Sequence, residues 1–180
     1  MENDRDTSLQ SWEFLTHFLP RFEAIASTSV GQFDRQYAVN VKPAVFLTQV
    51  VANDLVARGL GGSIVIVSSQ SSTLALEDHL VYSSSKAAVD HVARIQALEY
   101  GKHAIRVNTV RPTVVLTPLA RAQWDPTKLE AMRQTIPLRK LAEPEDVANA
   151  VLFLLSDKAA MVSGASLPVD GGRSMGGFGL

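Results

Sequence analysis

Tyr82 and Lys86 are the two residues of this chain whose types and spacing most directly suggest chemistry. They stand four positions apart at the start of an apolar-periodic stretch, so on a helix the phenol and the ammonium would project from one face. An ammonium close to a phenol lowers the pKa of the phenol from its ordinary value of about 10 towards neutrality. The pair therefore predicts a group that donates and accepts a proton at physiological pH.

Two serines, Ser68 and Ser69, stand upstream at the end of a β-like run. A hydroxyl at the carboxyl end of a parallel strand can donate to a ligand there, but serines at such a place also act simply as caps. Taken alone, Tyr82 and Lys86 also have a simpler interpretation, as a tyrosine that anchors a helix and a solvated lysine. The coincidence of all four residues favours a catalytic site.

Composition describes an ordinary globular protein and excludes several classes of function. Hydrophobic residues make up 46% of the chain and charged residues 19%, with 17 basic and 18 acidic side chains. This balance predicts no nucleic-acid partner and no membrane surface. The absence of cysteine excludes disulfides and thiolate metal sites, and we expect no metal. No apolar run approaches the roughly 18 residues of a membrane span, so we expect a soluble cytoplasmic protein.

Helical and β-branched segments alternate along the chain. Periodicity predicts helices over 33–58, 81–100, around 128–135 and over 145–156, and strands over 63–68, 105–110 and 166–169. Such alternation predicts an α/β fold with a parallel sheet. Pro43 lies inside the first of these helices, where it removes the hydrogen bond to the carbonyl of Val39 and weakens the helix beside Asn40. By itself Asn40 would be interpreted as a surface or kink residue.

In order and spacing, Asn40, Ser69, Tyr82 and Lys86, with the segment Arg-Pro-Thr-Val-Val-Leu-Thr at 111–117, resemble the short-chain dehydrogenase/reductases. The resemblance covers about residues 29–172 and implies a Rossmann-type fold. It implies that Tyr82 protonates a substrate carbonyl and that Lys86 lowers the pKa of Tyr82 and binds the nicotinamide ribose. It further implies that Ser69 orients the carbonyl oxygen and that the main-chain carbonyl of Asn40 holds a water.

The resemblance also assigns cofactor and substrate contacts. It implies NADP(H), with NAD not excluded, held by Tyr82, Lys86, Thr113, Val115 and Thr117. Without the resemblance, Thr113, Val115 and Thr117 would be interpreted as part of a loop that follows Pro112 and packs apolar side chains. The match to a carbonyl-reductase branch of the family implies a small carbonyl or sugar substrate, bound by four residues: Ser69, Gln70, His79 and Trp124. The last two could instead be a surface histidine and a packing tryptophan.

The N-terminal residues depart from the family pattern. Apolar residues at helical spacing predict an amphipathic helix over 9–25, with no strand before residue 32, and no glycine occurs before Gly31. The family should have its first βαβ units here, with the glycine-rich turn that binds the cofactor phosphates. We therefore interpret 1–30 as an atypical segment and 31–180 as the C-terminal part of a single, N-terminally truncated Rossmann-type domain.

Two functions remain open at this point. One is an NADP(H)-dependent carbonyl reductase, and the other is a non-catalytic paralogue or isoform that associates with full-length relatives. Broad apolar stripes on the helices over 82–100 and 144–156 predict a homo-oligomer, and the resemblance implies a tetramer. Cofactor binding discriminates between the two, since the phosphate-binding turn is the missing feature.

Overall fold

The computed structural model describes residues 14–15 and 24–176 and shows a parallel β-sheet flanked by helices. The strands are β1 (Phe14–Leu15), β2 (Gly62–Val67), β3 (Ile105–Pro112) and β4 (Ser166–Val169). The helices are α1 (Val30–Ala57), α2 (Leu80–Tyr100), α3 (Pro118–Gln123), α4 (Pro126–Gln134) and α5 (Pro144–Leu155). Short 3₁₀ turns lie at Ile25–Ser27, Gln70–Ser72, Gly101–His103 and Asp157–Ala159.

The four strands lie in the order β1-β2-β3-β4, and every neighbouring pair is parallel, as the sequence predicts. Val67 at the end of β2 is paired with Val110 of β3, and Pro112 at the end of β3 with Val169 of β4. The carboxyl ends of three strands therefore meet at one edge of the sheet, where ligands of parallel sheets bind.

Helices cover both faces of the sheet. Ile64 and Ile66 of β2 pack with Val107 in a core shared with α1 and α2, whereas Val65 lies in a second core with Val110 on the side of α5. Successive residues of a strand point to opposite faces, so a continuous β-branched run is what a strand buried on both faces requires. The predicted central strands are confirmed.

Local signals account for most helix ends. Ser29 and Gln32 form a capping box at the start of α1, and Pro144 occupies the first turn of α5. Pro43 lies inside α1, which is continuous through it. Helix α3 was not predicted; it is six residues long and depends on the cap supplied by Thr117.

No helix within the described residues is long and apolar enough to cross a membrane.

The predicted helix over 9–25 is wrong at Phe14 and Leu15, which form strand β1 instead. These residues pair in parallel with Val65 and Ile66. The open edge of β2 offers unpaired N–H and C=O groups, and pairing with them outweighs a local helical periodicity. The expectation of no strand before residue 32 is therefore also wrong. Residues 9–13 and 16–23 of that predicted helix lie outside the described residues, and the division at residue 31 stays a prediction.

Candidate active site

A cavity of about 670 Å³ lies at the carboxyl ends of β2 and β3. Seven of the residues predicted from the sequence line it: Ser69, Gln70, His79, Tyr82, Thr113, Val115 and Trp124. The structure thus brings together all four predicted substrate-binding residues. Asn40, Lys86 and Thr117 are not among the lining residues.

Ser69 and Tyr82 are joined by a side-chain hydrogen bond at this cavity. The Oγ of Ser69 also accepts hydrogen bonds from the Oγ of Ser71 at 2.8 Å and from the backbone N–H of Ser71 at 3.2 Å. These two donors fix the position of the Ser69 oxygen in the 3₁₀ turn that follows β2. Sequence reasoning missed the role of Ser71, although a serine two positions after another is a common turn signal.

The pKa of Tyr82 departs from the prediction. Burial raises the pKa of the phenol, and the hydrogen bond with Ser69 lowers it only in part. The predicted lowering of this pKa by Lys86 is therefore wrong for the net shift in this structure, because burial removes the water that would stabilise a phenolate. Tyr82 is consequently neutral at neutral pH, the state in which a tyrosine can give a proton away.

Lys86 lies beneath the tyrosine ring and is almost fully enclosed. Its side chain is 1% exposed, its Nζ donates to the main-chain carbonyl of Val67 at 3.0 Å, and the Nζ is 5.9 Å from the ring centroid of Tyr82. Burial lowers the pKa of Lys86 to about 8, and the carboxylate of Asp90 acts in the opposite direction. Asp90 itself accepts a hydrogen bond from the Oγ1 of Thr109 at 2.8 Å.

Asn40 is tied to the helix that carries Tyr82. Its side chain is buried, and its Nδ2 donates to the Oγ of Ser85 at 2.9 Å, which in turn donates to the main-chain carbonyl of Tyr82 at 2.7 Å. The Oδ1 of Asn40 has no hydrogen-bond partner in the described part of the chain. Asn40 is therefore not a surface residue, whereas the water-holding role of its main-chain carbonyl stays a prediction.

The loop over 113–117 is held in place by backbone pairing. The N–H of Thr113 donates to the carbonyl of Val169 at 3.2 Å, and Val115 forms a parallel bridge with Ala142. The Oγ1 of Thr117 accepts from the N–H of Ala120 at 3.1 Å, so this hydroxyl is engaged in capping α3. The Oγ1 of Thr113 is buried and has no hydrogen-bond partner among the described residues.

The described residues of this cavity offer a match to the nicotinamide end of a nicotinamide dinucleotide. A buried, unpartnered hydroxyl at Thr113, close to the ends of β3 and β4, matches the polar carboxamide of a nicotinamide. Among the described residues no comparable group is found for the pyrophosphate, since no glycine occurs in the segments over 68–79 and 113–117, which join β2 and β3 to the helices that follow them.

Several lining residues were missed by sequence reasoning, namely Ser71, Leu76, Val114, Ala120, Asp125, Lys128, Met132 and Arg173. Among them Arg173 is buried, directly after the turn at Asp170-Gly171-Gly172. The turn itself was predicted, and Gly171 and Gly172 have φ angles of 62° and 88°, which favour glycine. The only signal for Arg173 was a single basic residue after that turn.

Comparison with known proteins places this geometry in a family. The family model described as enoyl-(acyl carrier protein) reductase matches residues 15–174. The chain belongs to the short-chain dehydrogenase/reductase family, and its fold is the Rossmann-like α/β fold of that family.

The curated relatives narrow the likeness within the family. The chain is 53% identical over 140 residues to D-erythrulose reductase of Gallus gallus, covering 77% of this chain and 57% of that protein. It is 51% identical over 141 residues to L-xylulose reductase of Homo sapiens, covering 78% and 58%. The resemblance to a carbonyl-reductase branch is therefore confirmed, and within that branch the chain is similar to L-xylulose reductase, also called dicarbonyl reductase. The chain spans less than two thirds of the length of these relatives.

A solved structure shows the same fold in a more distant protein. It is a protein from Agrobacterium tumefaciens with bound NADP, described as a candidate 2-deoxy-D-gluconate 3-dehydrogenase. The two structures superpose with a TM-score of 0.86 at 29% identity, covering 92% of this chain and 68% of that one.

Proposed function

We propose that this chain is an NADP(H)-dependent carbonyl reductase of the L-xylulose or dicarbonyl reductase type, acting on a ketose or a dicarbonyl. The observation that carries the proposal is the hydrogen-bonded pair of Tyr82 and Ser69 at the wall of the cavity, with Lys86 enclosed behind it. The names of the relatives support a small carbonyl substrate, and the NADP bound in the similar structure supports this cofactor, with NAD as the alternative.

Tyr82 and Ser69 have different roles at the carbonyl oxygen of the substrate. When bound, the nicotinamide supplies a hydride to the carbonyl carbon, so a proton must reach the oxygen. Tyr82 is neutral and can give the proton of its hydroxyl to that oxygen. Ser69 is fixed by Ser71 within hydrogen-bond reach of Tyr82, so it can orient the same oxygen and stabilise the charge that develops on it.

Lys86 and Asn40 support the tyrosine from behind. The ammonium of Lys86 lies by the ring of Tyr82 and stabilises a phenolate after proton transfer, because opposite charges attract strongly in an enclosed site. Asn40 holds the first turns of α2 through Ser85, and we assign its main-chain carbonyl the water that returns a proton to Tyr82. Thr113, Val115 and Thr117 are assigned to the nicotinamide carboxamide.

The direct test is NADPH-dependent reduction of L-xylulose by the wild type and by Tyr82→Phe. Loss of the hydroxyl removes the proton donor, so we expect the rate to fall by roughly 10²–10⁴-fold without loss of secondary structure. Tyr100→Phe is the matched control, since Tyr100 lies on the same helix and its hydroxyl donates to the Oδ1 of Asn53 at 3.4 Å, outside the cavity. A Tyr82→Phe variant that turns over like the Tyr100→Phe control would refute the assignment.

A second candidate function is a non-catalytic subunit that associates with full-length relatives. The observation that favours it is that no glycine occurs before Gly31, since the family binds the cofactor phosphates through the backbone N–H groups of a glycine-rich turn. The two functions differ in cofactor affinity. On this reading the chain alone binds NADPH weakly or not at all, because only the nicotinamide end finds partners.

A fluorescence titration with NADPH separates the two functions. If the second function holds, we expect a dissociation constant well above the micromolar range for the chain alone, and co-purification with a full-length relative. Nicotinamide mononucleotide is the matched ligand, since it lacks the second phosphate and the adenosine half. Sub-micromolar affinity for NADPH that is lost with the mononucleotide would show that the pyrophosphate has another binding site, and would exclude the second function.

A further inference from the structure

Arg173 is a buried cation that the reduction mechanism does not use. It lines the same cavity as Tyr82 and Ser69, and its side chain is 6% exposed. Its Nε and Nη1 are enclosed and have no hydrogen-bond partner among the residues that the structure describes. A buried guanidinium with unpaired N–H groups is costly, and such a group normally binds a carboxylate or phosphate.

The neighbouring carboxylate of Asp170 does not satisfy these donors. Its two oxygens accept hydrogen bonds from the N–H groups of Gly172 and Ser174, each at 2.9 Å, and they shape the turn that presents Arg173. Burial lowers the pKa of Arg173 and the charge of Asp170 raises it again, although no hydrogen bond joins the two side chains in the described part of the chain.

The other charged groups of the cavity leave it positive. Lys128 lines it as a second cation, and Asp125 is its acidic residue. The Oδ1 of Asp125 accepts from the N–H of Thr127 at 2.7 Å, so this carboxylate caps α4. Two cations therefore face one carboxylate that is already engaged in capping.

We propose that Arg173 forms a subsite for a carboxylate, so that the preferred substrates are carbonyl compounds that also carry an acid group, such as small oxo acids or keto sugar acids. This inference rests on the proposed function, because it places the acid in the cavity where Tyr82 would protonate the carbonyl. The planar guanidinium can bind a carboxylate with two parallel hydrogen bonds, and Lys128 adds charge at the same cavity.

The test compares binding of 4-oxopentanoate with that of its methyl ester, which has the same ketone and no charge. Titrations by calorimetry, with and without NADP⁺, use the wild type, Arg173→Gln and Lys158→Gln. We expect the wild type to bind the acid at least ~10-fold more tightly than the ester, and Arg173→Gln to lose this preference. Lys158→Gln removes an equal charge from an exposed position that does not line the cavity, and should keep the preference.

Circular dichroism establishes whether Arg173→Gln is folded, and Arg173→Lys is the second variant if it is not. Arg173→Lys keeps the charge but not the paired geometry, so the preference for the acid should be reduced and still present. Equal binding of acid and ester by the wild type, or an undiminished preference in Arg173→Gln, overturns the subsite. Reduction of neutral L-xylulose with no preference for the acid would leave the proposed function standing and the subsite refuted. Acid binding that depends on Arg173, without any turnover, would support the subsite and refute the proposed function.

Discussion

At the scale of single residues, Lys86 connects the chemistry of the site to the stability of the fold. Its ammonium is enclosed, and burial lowers its pKa to about 8. In the unfolded chain the pKa returns to its ordinary value near 10.4. Between these two pH values the unfolded state holds a proton that the folded state has lost, so the free energy of unfolding must rise with pH in that window.

We predict that the wild type gains about 2 kcal/mol of stability, in order of magnitude, between pH 7.5 and pH 9.5, and that Lys86→Met lacks this gain. Urea unfolding at the two pH values measures it. Lys158→Met removes an exposed lysine, and its free energy of unfolding should change with pH as that of the wild type does. If the free energy of unfolding changes equally with pH in wild type and Lys86→Met, the buried ammonium keeps its ordinary pKa.

The sequence predicted which residues come together at the cavity, but it did not predict the pKa shift of Tyr82. The order and spacing of Ser69, Tyr82 and Lys86 are local features, and a strand end and a helix turn suffice to bring them together. The direction of the pKa shift of Tyr82 depends instead on how much of the rest of the chain covers the ring. The burial of Arg173 was not predicted for the same reason, because a basic residue is expected to be exposed until its surroundings are known.

At the scale of elements, buried polar contacts join α1 to α2, and the one nearest Tyr82 is between Asn40 and Ser85; Gln96 of α2 also donates to main-chain carbonyls of α1. The Nδ2 of Asn40 donates to the Oγ of Ser85, and both side chains are buried. The Oδ1 of Asn40 has no partner among the described residues, so the contact with Ser85 is what satisfies this amide. Its loss would leave the whole amide buried without a hydrogen bond.

We therefore predict that Ser85→Ala lowers the free energy of unfolding by about 1–3 kcal/mol. Ser84→Ala is the matched control, since the Ser84 hydroxyl donates to the carbonyl of Val81 within its own helix and Ser84 is partly exposed. The control should change stability by no more than about 0.5 kcal/mol. Urea denaturation compares the two, and equal effects would show that the link between the helices carries no energy.

Among the elements, those with long periodic patterns were predictable and those set by distant partners were not. The interior strands and the three long helices follow their apolar patterns to within a few residues. Strand β1 was not predicted, because two residues are too few to show a periodic pattern and their conformation depends on pairing with the edge of β2. Helix α3 escaped because its start depends on a single cap.

At the scale of the whole molecule, the outer faces of α1 and α2 are apolar. Phe46 and Val50 of α1 are 57% and 65% exposed, and Leu98 of α2 is 82% exposed. Val39 and Leu47 lie on the same face of α1 as Phe46 and Val50, because they are separated by helical repeats. Such surface is unusual on a protein that acts alone and is typical of a subunit interface.

We predict that the chain forms a homo-oligomer, or associates with full-length relatives, through this surface, and that the double variant Phe46→Glu, Val50→Glu is monomeric. Light scattering coupled to size exclusion at micromolar concentration measures the mass. Leu119→Glu places the same charge on an exposed leucine of α3 and should leave the mass unchanged. A stable wild-type monomer would contradict the prediction and leave the apolar faces unexplained.

The parallel order of the sheet also has a consequence for how the protein folds. The site takes Asn40 from α1, Tyr82 from α2 and Arg173 from the turn after β4, the last described strand. None of these groups meets the others through local contacts, and chains dominated by distant contacts fold slowly. The cavity can therefore be complete only when β4 docks on β3. Any activity should appear in a single late step of refolding, together with global structure, and not with the first helices.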